Sequence, residues 1–456
     1  MRFRPVVIAL GLLLAGLAPS QAADPAEGTL TPTTTLLTWE GTTPGGEINP
    51  LLLVSPVPQV RCLIAECDEF TATVALGDGF WAANGDGAVE FAIKWVYDGV
   101  VDLDLQVLDA GGSVVASSAA VDSNAESVFV PNAADGVYTV RVIPSNTFNP
   151  DNQVDTVPYE GLVQLEIPDR DAPGEGHRLL PNLRPSPPDG FHISSALNLV
   201  PFPENPLLSC YVEETVQNPD HPTRCLRFNQ TIANVGDGPL VFRFGLAGIV
   251  TPPENDNIIV QRVFSSDGSY EDVVVPENYQ FHEVHGHLHY KGFGQSFLYP
   301  WSQDAGRAAE PVTIGKKVGF CVIDVVLLDE YWGQTGNGPR AHTFPFDCIV
   351  PDELDPSGPQ IWVEQGVQVG WADVYGWNLA DQFINITGVP DGTYELVQVA
   401  NPTTSMIESD ASDNCASTVI EIPGGQADNC ASTIIQIAGD VVTTPNGPGT
   451  AIPCPA

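Results

Sequence analysis

Positive charge is scarce in this sequence. Seventeen Lys and Arg stand against 57 Asp and Glu, for a formal net charge of −40. So acidic a surface excludes nucleic acid and anionic lipid as partners, because both demand a basic face. The acidity serves solubility, and the competing reading, steering of cationic substrates, is weakened by salt screening. Only four lysines occur (Lys94, Lys291, Lys316 and Lys317). Long apolar runs are also lacking. After Val6–Leu17 no stretch is long and apolar enough to cross a bilayer. No convincing amphipathic helical stretch is present, and no His-Glu-x-x-His helix, which leaves a zinc hydrolase as the weakest metal reading.

The one apolar run follows a basic start, Met1-Arg2-Phe3-Arg4, and precedes the small residues of Pro19-Ser20-Gln21-Ala22-Ala23. This is the pattern of a secretory signal over residues 1–22, with cleavage after Ala22 or Ala23, and it predicts a secreted, extracellular protein. Nine cysteines in an exported chain point to disulfides. Cys62 with Cys67, Cys210 with Cys225, and Cys321 with Cys348 are sequence-near candidates. Cys415, Cys430 and Cys454 remain, so at least one thiol is odd.

A mostly β chain is expected. Residues 23–67, rich in Thr, Pro and Gly, read as a linker or arm. From 68 to 170 short strands recur at β-sandwich spacing. Val101–Val107 alternates as a strand with one buried face, and Gly136–Val142 is another strand after a turn at Ala134–Gly136. Residues 171–177 form a second linker, and 178–438 a second β-rich domain with long loops. In it Cys225–Gln230 and Leu240–Phe244 read as strands, separated by a turn at Asn234–Gly238. Asp413–Ile422 recurs as Asp428–Ile437, a duplicated strand too short for a solenoid. Residues 439–456 read as a mobile tail.

Chemistry concentrates at Phe281-His282-Glu283-Val284-His285-Gly286-His287-Leu288-His289-Tyr290, which holds half of the eight histidines. The flanking aromatics favour a strand. In a strand His285, His287 and His289 share one side, and His282 sits behind them unless a bulge or turn re-aims it. Three neutral imidazoles suit copper or zinc, and spacing alone does not choose between them.

Two resemblances follow from these residues. Trp95–Val142 resembles the pre-peptidase C-terminal type of β-sandwich found in secreted bacterial proteins, which implies an accessory or targeting module. Residues 178–422 resemble the lysyl oxidase catalytic domain, through Leu179–Leu183, Leu226–Phe228 and above all His282-x-x-His285-x-His287-x-His289. The resemblance implies a copper ion held by His285, His287 and His289, with His282 supporting. It extends to Gly315–Cys321, where the lysine four residues before the cysteine is Lys317, and to Trp371–Gly376, where Tyr375 is the matching tyrosine. In the family such a pair becomes lysine tyrosylquinone, which implies a protein-lysine 6-oxidase-like copper amine oxidase. Its substrates would be dioxygen and either primary amines or lysine-containing proteins, and its products an aldehyde, ammonia and hydrogen peroxide.

This sequence departs from the family in three places. Val284 replaces a family cysteine, the Lys317–Tyr375 interval carries an apparent insertion around Phe346–Gly366, and Lys316 competes with Lys317. Asp373 and His342 are candidate bases by neighbourhood alone. The competing reading is a copper-binding extracellular protein of the same fold that never makes the quinone.

Overall fold

A computed structural model describes residues 23–44, 67–85, 87–96, 101–120, 123–146, 156–167, 171, 174–195, 210, 224–245, 259–277, 279–282, 287–315, 317, 319–334, 362–379 and 382–422, with short backbone segments at 435–438, 441–444 and 447–449. The signal segment, the Cys62, Cys348, Cys430 and Cys454 positions, Lys316 and His342 lie outside these residues. Among the described residues, helix is confined to Phe80–Asn84 and a 3-10 turn at Asp329–Tyr331.

The N-terminal part is a sandwich of two sheets. Its strands are β1 (Glu27–Leu30), β2 (Leu36–Pro44), β3 (Asp68–Val74), β4 (Ala88–Trp95), β5 (Asp102–Leu108), β6 (Val114–Ser118), β7 (Ala125–Pro131), β8 (Gly136–Asn146) and β9 (Thr156–Glu166). One sheet runs β1-β3-β8-β5-β6 and the other β2-β9-β4-β7. Residues 27–44 are therefore not a linker. Thr is a good strand former, and the Thr-rich β2 also carries Trp39, which stacks on Phe70 at 4.1 Å in the core. Composition typical of a loop conceals a strand whose single indole anchors it.

Burial on β5 goes beyond the expected single face. Leu103, Leu105 and Val107 fill the core, yet Asp104 and Gln106 on the other face are buried too. Glu126, at the start of β7, lies within electrostatic reach of Asp102 and Asp104. Burial pushes its carboxyl up to about 8, with the Asp102 and Asp104 charges adding to the rise. An acid whose folded pKa is raised stabilises the fold fully below its unfolded value, and that contribution is lost as pH climbs through the folded pKa. Stability should therefore fall between about pH 4.5 and about 8, by at most about 1.4 kcal/mol for each pH unit crossed. Glu126→Gln should flatten that slope and raise the melting temperature at pH 8, which a thermal scan against pH would record.

The outer face of the second sheet shows where the sandwich sits. Glu90, Ala92, Leu162, Gln164 and Glu166 alternate with the core residues of β4 and β9, yet none is more than 8 % exposed. An antiparallel sheet with a free outer face would leave such positions in water. Here Gln164 Nε2 donates to the Gln334 carbonyl at 3.3 Å, and Lys94 pairs with Asp329. Asn124 gives its main-chain N–H to the Val325 carbonyl (3.1 Å) and accepts the Leu327 N–H on Oδ1 (2.8 Å). One asparagine thus satisfies the outer edge of Val326–Leu327, an edge strand of the second domain's sheet, where unpaired groups would otherwise need water. The sandwich is docked, not merely tethered. Asn124→Ala should speed hydrogen exchange at Leu327 by about fivefold, as expected for losing one bond of about 1 kcal/mol.

Among the described residues the second domain holds four further sheets. Arg224–Asn234 pairs with Leu183–Pro185, Asp189–Ser195, Trp371–Tyr375 and Phe383–Asn385, and Trp371–Tyr375 pairs in turn with Val326–Leu327. A second sheet runs Arg178–Leu179, Ile259–Ser265, Leu240–Gly245, Trp362–Val367. The Asn234–Gly238 turn therefore joins strands of different sheets. Gly294–Ser302, Gly392–Ala400 and Cys415–Ile422 form the spine of the third, and Ile435–Ala438, Val441–Thr444 and Gly447–Gly449 extend it. Part of the expected tail is thus paired strand. The end of the duplicated segment pairs with its own first copy, Val419 opposite Ile435. Cys210 and Cys225 form a disulfide with Cα atoms 5.8 Å apart, and Cys67, Cys321 and Cys415 are also disulfide-bonded.

Candidate active site

The histidine stretch is a hairpin, not one strand. Tyr279–His282 runs antiparallel to His287–Lys291, with Gln280 opposite His289 and His282 opposite His287. The single-strand parity that sets His282 behind the others does not apply across a turn. His285 lies outside the described residues, and the His282 and His287 side chains are not described. His289 is buried at 5 % exposure. Its neighbours Leu288 and Tyr290 enter the core, where Tyr290 stacks on Phe242 at 4.1 Å.

The third strand of this small sheet is Gly319–Phe320, with Tyr290 opposite Phe320 and Lys291 opposite Gly319. A Cβ at Gly319 would lie 3.1 Å from His289 Cβ and 3.4 Å from its Nδ1, so glycine lets the strand approach the imidazole. Buried Gln365 ties the same elements together. Its Nε2 donates to the Leu288 carbonyl at 2.8 Å, and its Oε1 accepts the Val322 N–H at 3.3 Å.

Lys317 precedes this strand by two residues. Its Nζ lies 4.8 Å from the Tyr375 ring centroid and 5.2 Å from that of Phe320. The two rings meet edge to face at 4.9 Å, so the amine rests between aromatic surfaces in a cation–π arrangement. The Tyr375 hydroxyl is fixed by the backbone of one residue: it donates to the Cys321 carbonyl at 2.8 Å and accepts the Cys321 N–H at 2.5 Å. Burial and the Asp373 charge hold this phenol well above its ordinary pKa.

Asp373 lies two residues before Tyr375 on the same strand, hence on the same face. It is 2 % exposed, and neither carboxylate oxygen has a hydrogen-bond partner in good geometry. Burial raises its pKa strongly and the Asp324 charge adds to the rise, while the Lys317 cation and the adjacent Val374 N–H oppose it. Asp324 is itself raised to about 7 by burial, although Gln368 gives it two hydrogen bonds of 2.8 Å. Gln230, opposite Tyr375 in the neighbouring strand, is buried with an unpartnered Nε2. Neither Asp324 nor Gln230 carries a sequence signal, because both come from segments that only sheet pairing brings to the tyrosine.

Two acceptors on Asp373 and a donor on Gln230 beside a phenol and an amine leave polar valence for a larger, oxygen-bearing group built from Tyr375 and Lys317. Imidazole donors fit copper, and His289 closes against the same segment. Among the described residues no group of three or more His, Cys, Asp or Glu is arranged to hold a metal.

One further polar group argues against a serine hydrolase. Ser266 Oγ lies 2.6 Å from Asp171 Oδ2 and 2.9 Å from His177 Nδ1, and Asp171 lies 3.0 Å from that same nitrogen. A relay needs the acid and the serine on opposite ring nitrogens.

A mostly β protein with an N-terminal sandwich and a lysine amine seated on a tyrosine ring is the class that emerges. The Lysyl oxidase family model matches residues 359–430, and the Bacterial pre-peptidase C-terminal domain model matches residues 79–144. The first match contains Asp373 and Tyr375 but neither the histidine hairpin nor Lys317. Among solved structures the chain is similar to the pre-peptidase C-terminal domain of a Bacillus anthracis collagenase, at 13 % identity over 31 % of this chain and 94 % of that one, with a TM-score of 0.19. It is also similar to a GH2 beta-galacturonidase from Eisenbergiella tayi, at 14 % identity over 53 % of this chain and 36 % of that one, with a TM-score of 0.15. No curated protein matches the chain.

Proposed function

We propose that the protein is a secreted, copper-dependent amine oxidase of lysyl oxidase type, acting on primary amines or lysine side chains. The observation that carries this reading is Lys317 Nζ at 4.8 Å from the Tyr375 ring, the two residues coming from separate segments. His285, His287 and His289 would hold the copper ion, with His282 supporting, and Lys317 and Tyr375 would be the source of lysine tyrosylquinone. Together those groups supply the electron sink by which R–CH2–NH2, O2 and H2O become R–CHO, NH3 and H2O2.

The chain's own residues have distinct tasks. The Cys321 peptide holds the Tyr375 oxygen, and Phe320 walls the ring and the amine from solvent. Gln230 Nε2 offers a hydrogen bond beside the ring. Asp373 takes the α-proton of the substrate amine as general base, for which a buried carboxylate with a raised pKa is suited at neutral pH. Burial, with the neighbouring Asp324 adding to it, keeps that pKa high.

The copper-binding alternative shares the histidines and differs at Lys317 and Tyr375. Intact-mass measurement of copper-loaded protein treated with a carbonyl-reactive hydrazine separates the two. One label per chain is expected, accompanied by peroxide release from a primary amine. Protein that binds copper in full yet takes no label would leave the alternative.

A further inference from the structure

Ala23 is only 3 % exposed, and its main-chain N–H donates to Asp68 Oδ1 at 3.0 Å. Asp68 opens β3 and is 7 % exposed. Its Oδ1 also accepts the Glu69 N–H at 2.8 Å, and its Oδ2 accepts the Tyr159 hydroxyl at 2.9 Å. Tyr159 in turn accepts Trp39 Nε1 at 3.4 Å. The pocket is built for this contact. A Cβ on Gly41 would lie 2.3 Å from the Tyr159 hydroxyl and 2.5 Å from Asp68 Oδ2, so only glycine leaves the room. Asp24 is pinned beside it, exchanging N–H···O bonds of 2.8 and 3.1 Å with Glu40 on β2.

Every donor reaching Asp68 among the described residues is thus uncharged as the unprocessed chain stands. A buried carboxylate in that position is costly, because desolvated charges are ordinarily paired. Among the described residues no side-chain cation pairs with Asp68, and a cation would lie one bond away. We propose that the Ala22–Ala23 peptide bond is hydrolysed on export and that the α-ammonium created at Ala23 forms a buried ion pair with Asp68. Hydrolysis consumes one water, leaves the new carboxylate on the departing leader, and gives Ala23 an amine that takes up a proton at neutral pH. The small residues around the site permit cleavage on either side of Ala23. Asp68 selects the bond before it, since cleavage after Ala23 would remove the nitrogen that reaches the carboxylate. Processing then completes the sandwich core, and the folded state favours the cleaved chain. The inference is independent of the amine oxidase reading.

Top-down mass spectrometry of the exported, full-length protein gives the first test. The chain should start at Ala23 with a free amine, and a start at Asp24 or at any other residue overturns the proposal. The second test uses that mature protein in four forms: unchanged, Asp68→Asn, Nα-acetylated, and both. Asp68→Asn and acetylation should each lower the melting temperature of the sandwich by several degrees, on the order of 5 °C. The doubly altered protein should lose little more than either alone, as expected for two halves of one pair. Additive losses, or acetylation without effect, would sink the pairing even where the cleavage site is right.

Discussion

Lys317→Ala and Tyr375→Phe should each abolish hydrazine labelling and cut peroxide release by about 10³-fold or more, a scale set by losing the electron sink altogether. Both changes remove a reacting atom and leave the surrounding fold. Tyr375→Phe loses the two bonds to the Cys321 peptide at about 1 kcal/mol each, too little to unfold a domain of this size. Lys317→Ala empties the space between two rings and removes a cation near Asp373, whose carboxyl burial already favours in its neutral form. Copper content, measured alongside, should be unchanged, since no imidazole is touched. Lys316→Ala supplies the register control: it should label as the unchanged protein does. Equal activity in the Lys317 and Tyr375 variants would overturn the quinone assignment.

Asp373→Asn should lower turnover by about 10²–10⁴-fold, the usual worth of a positioned base, while hydrazine labelling persists. A merely structural role would lower both together. The pH profile gives the sharper reading. Burial first, and the Asp324 charge second, hold the Asp373 carboxyl above the ordinary range. Activity should therefore rise with pH along a limb lying well above ordinary carboxylate values, as the deprotonated base appears. Asp324→Asn removes the neighbouring like charge, so the same limb should move to lower pH. Movement in the opposite direction would exclude the pair as the titrating unit.

How far residue order alone reaches differs between the two halves of the chain. The alternation of β5 and the turn at Gly136 are local signals, and a sandwich follows from them with little help. The Thr-rich β2 reads as a linker because propensity and punctuation disagree there, and Trp39 buries itself only once Phe70 is present to receive it. Across the histidine stretch a period of two is legible, but the chain reverses between His282 and His287. A repeat of alternate residues is the same on either arm of a hairpin, so periodicity has no means of reporting the turn.

Residue type and short-range order suffice for the β character, the clustering of imidazoles, and the choice of Lys317 and Tyr375 as the pair to watch. Strand geometry transmits such properties directly. Three other facts needed the folded chain: Lys317 rests on the Tyr375 ring, Asp373 is buried beside it with its oxygens unmatched, and Asn124 closes the sheet edge from the other domain. Each of these depends on strands far apart in the chain lying side by side. Cross-strand pairing is chosen by the collapse of the whole core, and no window of sequence contains it.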